Sequence, residues 1–291
     1  MLKIKYKNNT DNEIVLQRDP PFILKTIEGV DALFNTITSI SNYNQDGETK
    51  ISDRYEPRDI TVHGHLIADS AEDKAHLRRE LIQVFNRDFA GTLFYEIYDK
   101  SYSIDVEVVQ APTFAEEEQQ YKYIPFQIML KALDPYFVDT SFYDSLIPLS
   151  KTKNLFEFPL NITENFEFAT ITFGDIIEIS NKGDVAVGAV FYFSFIAEVT
   201  NPTIYNVLTQ ESFGFEGTYG PNTRFELSTV RGNIYAYKIV DGVKTNAMND
   251  RIKDSAFLKL SNGLNYLQVQ TKNEVSGALV SIKFQPLVIG V

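Results

Sequence analysis

The 291-residue sequence contains no cysteine, no tryptophan and only three histidines. The absence of cysteine excludes disulfides, thiolate metal sites and a cysteine nucleophile. Basic residues are also scarce, with 27 Lys and Arg against 39 Asp and Glu and a formal net charge of -12. Nucleic-acid binding depends on Lys and Arg displacing counterions from phosphates, so this balance argues against a DNA or RNA partner.

Long hydrophobic runs are missing as well. The longest uncharged apolar stretch, residues 185–197, is shorter than the roughly 20 residues that a membrane-spanning helix requires. The first seven residues lead straight into a polar segment at 8–13, which is not the pattern of a secretion signal. We therefore expect a soluble protein without membrane insertion.

Phe and Tyr are abundant, with 22 and 16 residues, and many alternate with polar residues as in half-buried strands. Hydrophobic residues make up 44% of the chain, enough to fill real cores. The composition predicts a folded, mainly β protein, and its length allows two domains.

The first half of the chain shows one helix among strand-like segments. Ser70 and Asp73 resemble a capping box, and Leu77, Leu81 and Phe85 follow at helical spacing, which predicts a helix over residues 70–86. Alternating residues then predict a long hairpin, with strands near 102–108 and 126–131 and an acidic tip at 115–120.

The second half predicts a β-sandwich. The segment Asp134-Pro135-Tyr136-Phe137 ends the last strand of the first half, and a stretch without clear periodicity follows it. Beyond it, strands and turns recur at short intervals to the end of the chain. We predict an N-terminal β-sandwich-like domain at 1–139, a connector and lead-in strand at 140–165, and a C-terminal sandwich at 166–291.

Catalytic motifs are absent from the sequence, which has no Gly-rich phosphate loop, no Gly-x-Ser-x-Gly elbow and no His-Glu-x-x-His. His63 and His65 would share one face of a strand, a spacing that zinc can use, with Asp69 or His76 as a third ligand. Nothing local brings such a third ligand close. The residues favour ordinary surface or interface histidines, so we assign no catalytic, cofactor or metal site.

Two further groups of side chains have a chemical and a structural interpretation. The run Glu116-Glu117-Glu118 could contribute a carboxylate pair to a glycoside hydrolase, but adjacent acids in a hairpin loop are more typical of a solvated tip. The aromatic groups Phe191-Tyr192-Phe193-x-Phe195 and Phe213-x-Phe215 could form a sugar platform, but their alternation favours core packing.

Short landmarks succeed one another in a fixed order along the chain. They are Pro20-Pro21-Phe22, Gly29, Asp46-Gly47, Arg58-Asp59-Ile60, Gly64, the predicted helix, the predicted hairpin, Asp134-Pro135-Tyr136-Phe137, Asn181-Lys182-Gly183-Asp184, Asn201-Pro202-Thr203-Ile204 and Phe257-x-x-Leu260-x-x-Gly263-x-Asn265. This succession resembles the distal tail (Dit) protein family of long-tailed, non-contractile bacteriophages and related prophages.

The resemblance implies a structural hub of a phage tail tip or baseplate. In such a hub six N-terminal domains form a homohexameric ring, and galectin-like C-terminal domains project outward. The ring would join the tail-tube protein to the tail-associated lysin or baseplate hub protein, with tape-measure and receptor-binding proteins as further candidate partners. It implies no catalysis and no cofactor, a virion location at the distal end of the tail, and assembly in the host bacterial cytoplasm.

Two expectations from the residues accompany this interpretation, and two alternatives compete with it. The strands of the predicted hairpin suit pairing with a neighbouring subunit, since unpaired backbone groups offer a template for strand addition. Part of the acidic excess would line a central channel and repel passing DNA. The alternatives are a carbohydrate-binding module that contacts host cell-wall polysaccharide, and a hydrolase that uses a carboxylate pair.

Overall fold

The computed structural model describes residues 2–44, 46–115, 122–142, 146–149, 151–154, 169–172, 175–273 and 277–291. The chain divides into two compact units. The first unit contains Met1–Ser141 together with Leu287–Val291, and the second unit contains Phe142–Pro286.

Alternating apolar residues form the strands of the first unit, each with one buried face. These strands are β1 (Lys3–Asn8), β2 (Glu13–Leu16), β3 (Phe22–Glu28), β4 (Asn35–Ile40), β5 (Thr49–Tyr55), β6 (Arg58–Leu66), β7 (Gly91–Ile97), β8 (Lys100–Phe114), β9 (Ile124–Ala132) and β10 (Phe137–Asp139). The exceptions are β4 and β5, which pair only with each other and bury neither face.

Seven of these strands form an antiparallel sheet in the order β2-β1-β7-β8-β9-β6-β3. Just after β2, Gln17 makes a parallel bridge with Ile23 of β3, which brings the two ends of the path together. The 15-residue strand β8 pairs first with β7 and then with β9, and so links the two halves of the path. A sheet that closes in this way leaves few free edges.

The single α-helix of the described chain, α1 (Ala71–Val84), packs onto this sheet. Ser70 is its N-cap, and the Ser70 hydroxyl accepts a hydrogen bond from the backbone N–H of Asp73 at 3.1 Å. Leu77, Leu81 and Val84 are buried along one face of the helix. The capping and the apolar spacing predicted for residues 70–86 are therefore confirmed.

The core of the first unit is aromatic where the helix ends. Phe85, directly after α1, stacks on Tyr6 of β1 with ring centroids 4.2 Å apart. Tyr6 is fully buried, and within the part of the chain that the structure describes its hydroxyl has no hydrogen-bond partner. Burial, and secondarily the charge of Glu107, raise the pKa of Tyr6 to about 12.

Short strands joined by tight turns form the second unit. They are β11 (Ile147–Pro148), β12 (Lys151–Asn154), β13 (Ala169–Thr172), β14 (Ile176–Asn181), β15 (Val187–Gly188), β16 (Val190–Phe195), β17 (Val199–Thr200), β18 (Thr203–Asn206), β19 (Ser212–Gly214), β20 (Thr218–Tyr219), β21 (Thr223–Val230), β22 (Asn233–Val240), β23 (Val243–Asn246), β24 (Lys259–Leu260), β25 (Gly263–Gln270) and β26 (Ala278–Lys283). The two largest sheets have the orders β11-β26-β16-β21-β22-β23 and β14-β25-β18-β19.

Phenylalanine rings from both of these sheets meet in the core of the second unit. Phe215 stacks on Phe225 of β21 with ring centroids 4.0 Å apart. It also meets Phe193 of β16 and Phe213 of β19 edge-on, each at 5.5 Å. Phe213 belongs to the four-stranded sheet and the other two partners to the six-stranded sheet, so this cluster joins two sheets as in a β-sandwich.

The last strand, β27 (Leu287–Val288), returns to the first unit and pairs antiparallel with β10. The sequence analysis placed residues 287–291 in the C-terminal domain, whereas their contacts place them in the first unit. A pairing partner about 150 residues away leaves no local sequence signal. The predicted connector at 140–165 falls partly outside the described residues.

The prediction of a mainly β fold with one helix and a long hairpin is confirmed. In the part of the chain that the structure describes, no helix is long and apolar enough to cross a membrane.

Candidate assembly surface

The two histidines of β6 lie on the outer face of the sheet. His63 and His65 are half-buried, and the ring of His65 meets the ring of Tyr123 at 6.0 Å. His76 is exposed on α1, and Asp69 belongs to the helix N-terminus, where its backbone N–H bonds to Asp73. Over the described ranges, no three His, Asp or Glu side chains converge as metal ligands. The run Glu116-Glu117-Glu118 lies outside the described residues.

The aromatic residues considered as a sugar platform separate into two groups. Five of them are buried in the core of the second unit: Phe191, Phe193, Phe195, Phe213 and Phe215. Only Tyr192 points outward, because it alternates with its neighbours along β16. Core packing therefore accounts for the aromatic pattern except at Tyr192.

Tyr192 belongs to a small tyrosine cluster on the outer face of the six-stranded sheet, with Tyr235 and Tyr237. Tyr192 lies opposite Glu226, which in turn lies opposite Tyr237. The Tyr235 hydroxyl donates to Glu226 at 2.6 Å, and Lys244 pairs with the same carboxylate at 3.0 Å. Burial and the hydrogen bond to Glu226 raise the pKa of Tyr235. Lys244 also lies 4.1 Å from the ring centroid of Tyr237.

The long hairpin β8–β9 is integrated into the sheet of the first unit. Strand β9 pairs with β6 along its whole length, from Ile124 to Ala132, and with β8 on its other side from Phe126 to Lys131. The expectation that this hairpin offers free edges to a neighbouring subunit therefore fails for β9. Two irregularities in the β8 register, at Val108–Gln110 and Gln110–Thr113, further interrupt the ladder.

A different hairpin is free of the sheet. Strands β4 and β5 pair from Asn35–Tyr55 to Ile40–Thr49, with a register shift between Thr38 and Ser39, and we call this hairpin the arm. Almost every described side chain of the arm is exposed. The arm is joined to the rest of the first unit at its base, where the N–H of Glu56 bonds to the carbonyl of Phe34 at 3.0 Å.

The arm carries large apolar side chains in spite of its exposure. Ile37 and Ile51 are 57% and 63% exposed, and Tyr43, in the turn, is 96% exposed. Asp53 lies opposite Ile37 and Tyr55 lies opposite Asn35, so Ile37 and Tyr55 share one face of the arm, whereas Ile51 falls at a register shift. Isolated apolar side chains are common on surfaces, but several on a ribbon that covers no core are not.

The polar residues of the arm are satisfied within it. Lys50 pairs with Asp53 at 2.8 Å, and this contact lowers the pKa of Asp53. Sequence analysis identified the Asp46-Gly47 turn but not the arm. The signal available was the β-branched residues Thr and Ile on both sides of that turn, with Gly47 in the left-handed region at a φ of 81°.

Comparison with known proteins gives a family match for the region of the chain that contains the arm. Residues 11–130 match the family described as phage tail protein RIFT-related domain. Residues 11–130 are thus similar to a phage tail domain. Together with the fold, this match confirms the resemblance to the distal tail family that the sequence landmarks indicated. The matched range begins before β2 and extends into β9, so the phage tail domain includes both the arm and α1.

Three solved structures share the fold over nearly the whole chain. The crystal structure of the Dit protein of phage SPP1, described as a paradigm of the hub adsorption apparatus in phages that infect Gram-positive bacteria, matches with a TM-score of 0.67 at 9% identity, over 98% of both chains. The phage P2 baseplate in its activated conformation with Ca matches with a TM-score of 0.50 at 10% identity, over 97% of this chain and 98% of that one. The same baseplate with Sr matches with a TM-score of 0.50 at 9% identity, over 98% of both.

At 9–10% identity, these structural matches show a shared fold over nearly the whole chain. The comparison with curated protein sequences gives no significant match.

Proposed function

We propose that this protein is a structural, non-catalytic subunit of the distal end of a phage tail, where copies of the chain form a ring through their phage tail domains. The arm is the observation that carries the proposal. A two-stranded ribbon is only marginally stable alone in water, and this one exposes Ile37, Ile51 and Tyr43 without covering any core. Contact with another chain would bury these side chains and stabilise the ribbon.

The partner that the arm fits best is a second copy of this chain. An arm that projects from each subunit onto a different surface of the next makes a heterologous contact, and such contacts close into a ring when the rotation per subunit is right. The similarity to the SPP1 hub protein supports a hub role. Six copies are the number that the family resemblance implies.

In this role the ring would join the tail-tube protein to the tail-associated lysin or baseplate hub protein, with tape-measure and receptor-binding proteins as further partners. The particle would carry it at the distal end of the tail, after assembly in the host cytoplasm. The second unit, with its two sheets and shared phenylalanine core, would be the galectin-like domain at the periphery.

The net charge of -12 supports one feature of such a ring. Carboxylates that line the central channel would keep DNA from adhering by repulsion over about one Debye length, roughly 8 Å at physiological salt. A ring structure with a basic channel lining would contradict this part of the proposal.

The test is the mass of the purified full chain in solution, measured by light scattering over a wide concentration range, together with electron microscopy of end-on particles. We expect closed rings, six-fold in projection, whose population rises with concentration. A chain that stays monomeric even when mixed with the tail-tube and baseplate hub proteins of the same phage would contradict the proposal.

Carbohydrate recognition by the second unit is the other candidate function, and the tyrosine cluster favours it. Three partly exposed rings lie beside Glu226 and Lys244, a combination of apolar faces and polar groups that suits a sugar. Calorimetric titration with host cell-wall polysaccharide tests it, with Tyr192→Ala as the matched variant. Binding that is absent, or unchanged in the variant, would exclude this surface.

A further inference from the structure

Arg58 occupies an unusual position at the base of the arm. It is the first residue of β6, three residues after the arm ends, and it is only 4% exposed. Its guanidinium group donates three hydrogen bonds, all to backbone carbonyls, and lies 5.0 Å from the centroid of the Phe137 ring. Burial lowers the pKa of Arg58, but an arginine remains charged at neutral pH.

The three carbonyls come from segments that are far apart in the chain. Nε donates to Pro135 at 2.9 Å, just before β10, and the other two nitrogens donate to Gly29, after β3, and to Ile289, near the chain end. The rigid fork of a guanidinium group can hold three acceptors at once, which a lysine cannot do with the same geometry. Arg58 therefore ties together the strand that precedes the arm, the strand β10 and the C-terminal segment.

The C-terminal segment, residues 287–291, has further contacts at the same place. The N–H of Val291 bonds to the carbonyl of Val30 at 3.2 Å. Gly290 passes so close to Asp31 that a Cβ at this position would lie 2.0 Å from the Asp31 carbonyl oxygen. Residues 29–31 are thus covered by the last residues of the chain, four residues before the arm begins.

The base of the arm also contacts the approach to β10. The ring of Tyr55, the last residue of the arm, meets the ring of Tyr136 edge-on at 6.2 Å. Tyr136 lies between Pro135, which accepts from Arg58, and Phe137, whose ring Arg58 covers. The Tyr55 end of the arm is therefore next to groups that Arg58 holds, and the Asn35 end follows Gly29 along the chain.

We propose that Arg58 couples docking of the C-terminal segment to anchoring of the arm. We call Arg58 and the three carbonyls it binds, those of Gly29, Pro135 and Ile289, the clasp. When residues 287–291 detach from the first unit, Arg58 loses its hydrogen bond to the Ile289 carbonyl. Residues 29–31 then lose their contacts with Gly290 and Val291, and the base of the arm loosens. Strands β10 and β27 are also the points where the chain leaves the first unit and returns to it. The clasp thus links the position of the arm to both connections with the second unit. The inference concerns the single subunit and does not depend on ring formation.

Hydrogen exchange of the full-length protein, measured by mass spectrometry in the monomeric range of concentration, tests the clasp. The variants are Arg58→Met, a chain that ends at Val288, and the combination of both. Arg79→Met, on the exposed face of α1, is the matched control. We expect at least tenfold faster exchange at residues 29–34 and 53–58 in the first two variants. The combination should add little, because both changes break the same contact.

Exchange in α1 and β1 should remain as in the unmodified protein and in the control. Native protection at the base of the arm in the chain that ends at Val288 would overturn the proposal. Exchange that rises equally throughout the first unit would also overturn it, because that result means general destabilisation. If Arg58→Met does not fold, the chain that ends at Val288 decides between these outcomes alone.

Discussion

Replacing the two isoleucines of the arm by serine tests whether the arm is an assembly surface. Ile37 and Ile51 lie on the two strands of the arm, and both are mostly exposed to solvent. The double substitution Ile37→Ser with Ile51→Ser should therefore leave the stability of the monomer within about 0.5 kcal/mol of the unmodified protein. Its effect should appear only where two chains meet.

The expected magnitude follows from the area that remains to be buried. Complete burial of a large aliphatic side chain contributes about 1.5–3 kcal/mol. Scaled by exposed fractions of 57% and 63%, the two side chains together would contribute about 1.8–3.6 kcal/mol to each contact between subunits. This corresponds to a roughly 20- to 400-fold weaker association at each contact, and a closed ring depends on every one of its contacts.

The assay is sedimentation velocity over a concentration series, with thermal unfolding of the dilute monomer measured by circular dichroism. Ile234→Ser with Val243→Ser is the matched control, since these residues of the second unit are 50% and 64% exposed. We expect the arm variant to lose assembly at concentrations where the control and the unmodified protein assemble. Unchanged assembly of the arm variant would refute the reasoning, and so would a large loss of monomer stability.

Three further predictions concern the cores of the two units. Tyr6→Phe should stabilise the first unit by about 1 kcal/mol in urea unfolding, because it removes a buried hydroxyl that has no partner in the described chain; a loss of stability would show that the hydroxyl is satisfied. Burial raises the pKa of Tyr6 and of Tyr219 to about 12, whereas an unfolded tyrosine ionises near 10. The stabilisation linked to these raised pKa values is complete below pH 10 and is lost as the pH rises to about 12. The free energy of unfolding in urea should therefore differ less between pH 9 and pH 11 in the Tyr6→Phe variant than in the unmodified protein. Phe215→Ala should destabilise the second unit by about 3–5 kcal/mol, since the ring is fully buried among three others, while the unfolding of the first unit should not change.

Local patterns were sufficient to predict the elements whose partners are close in sequence. The cap at Ser70 and the spacing of Leu77 and Leu81 define α1 without any tertiary information, because both depend on backbone geometry within a few turns. The β8–β9 hairpin can also be predicted from local patterns, since its two strands follow one another along the chain. The burial of Phe191 and Phe193 follows from alternation, which fixes the face of a strand that each residue occupies.

Features that depend on distant partners could not be predicted in this way. The bridge between Gln17 and Ile23 closes the sheet, yet neither residue carries a signal for closure. Arg58 belongs to one of the sequence landmarks, but its burial depends on carbonyls at positions 29, 135 and 289, which the local sequence does not indicate. The arm was missed for the opposite reason: its β-branched Thr and Ile residues predict a half-buried strand, whereas the structure buries neither face.

The closed sheet also limits the kinds of interaction that can stabilise association between subunits. An open sheet can recruit a neighbour by backbone pairing at its edge, as the sequence suggested for the β8–β9 hairpin. Here β9 already pairs on both sides, so that route would require breaking existing ladder hydrogen bonds. A domain closed in this way has to associate mainly through side chains, or through a segment added outside the sheet. The arm, inserted between β3 and β6, is such a segment, and its exposed apolar side chains supply the area that the closed sheet does not expose.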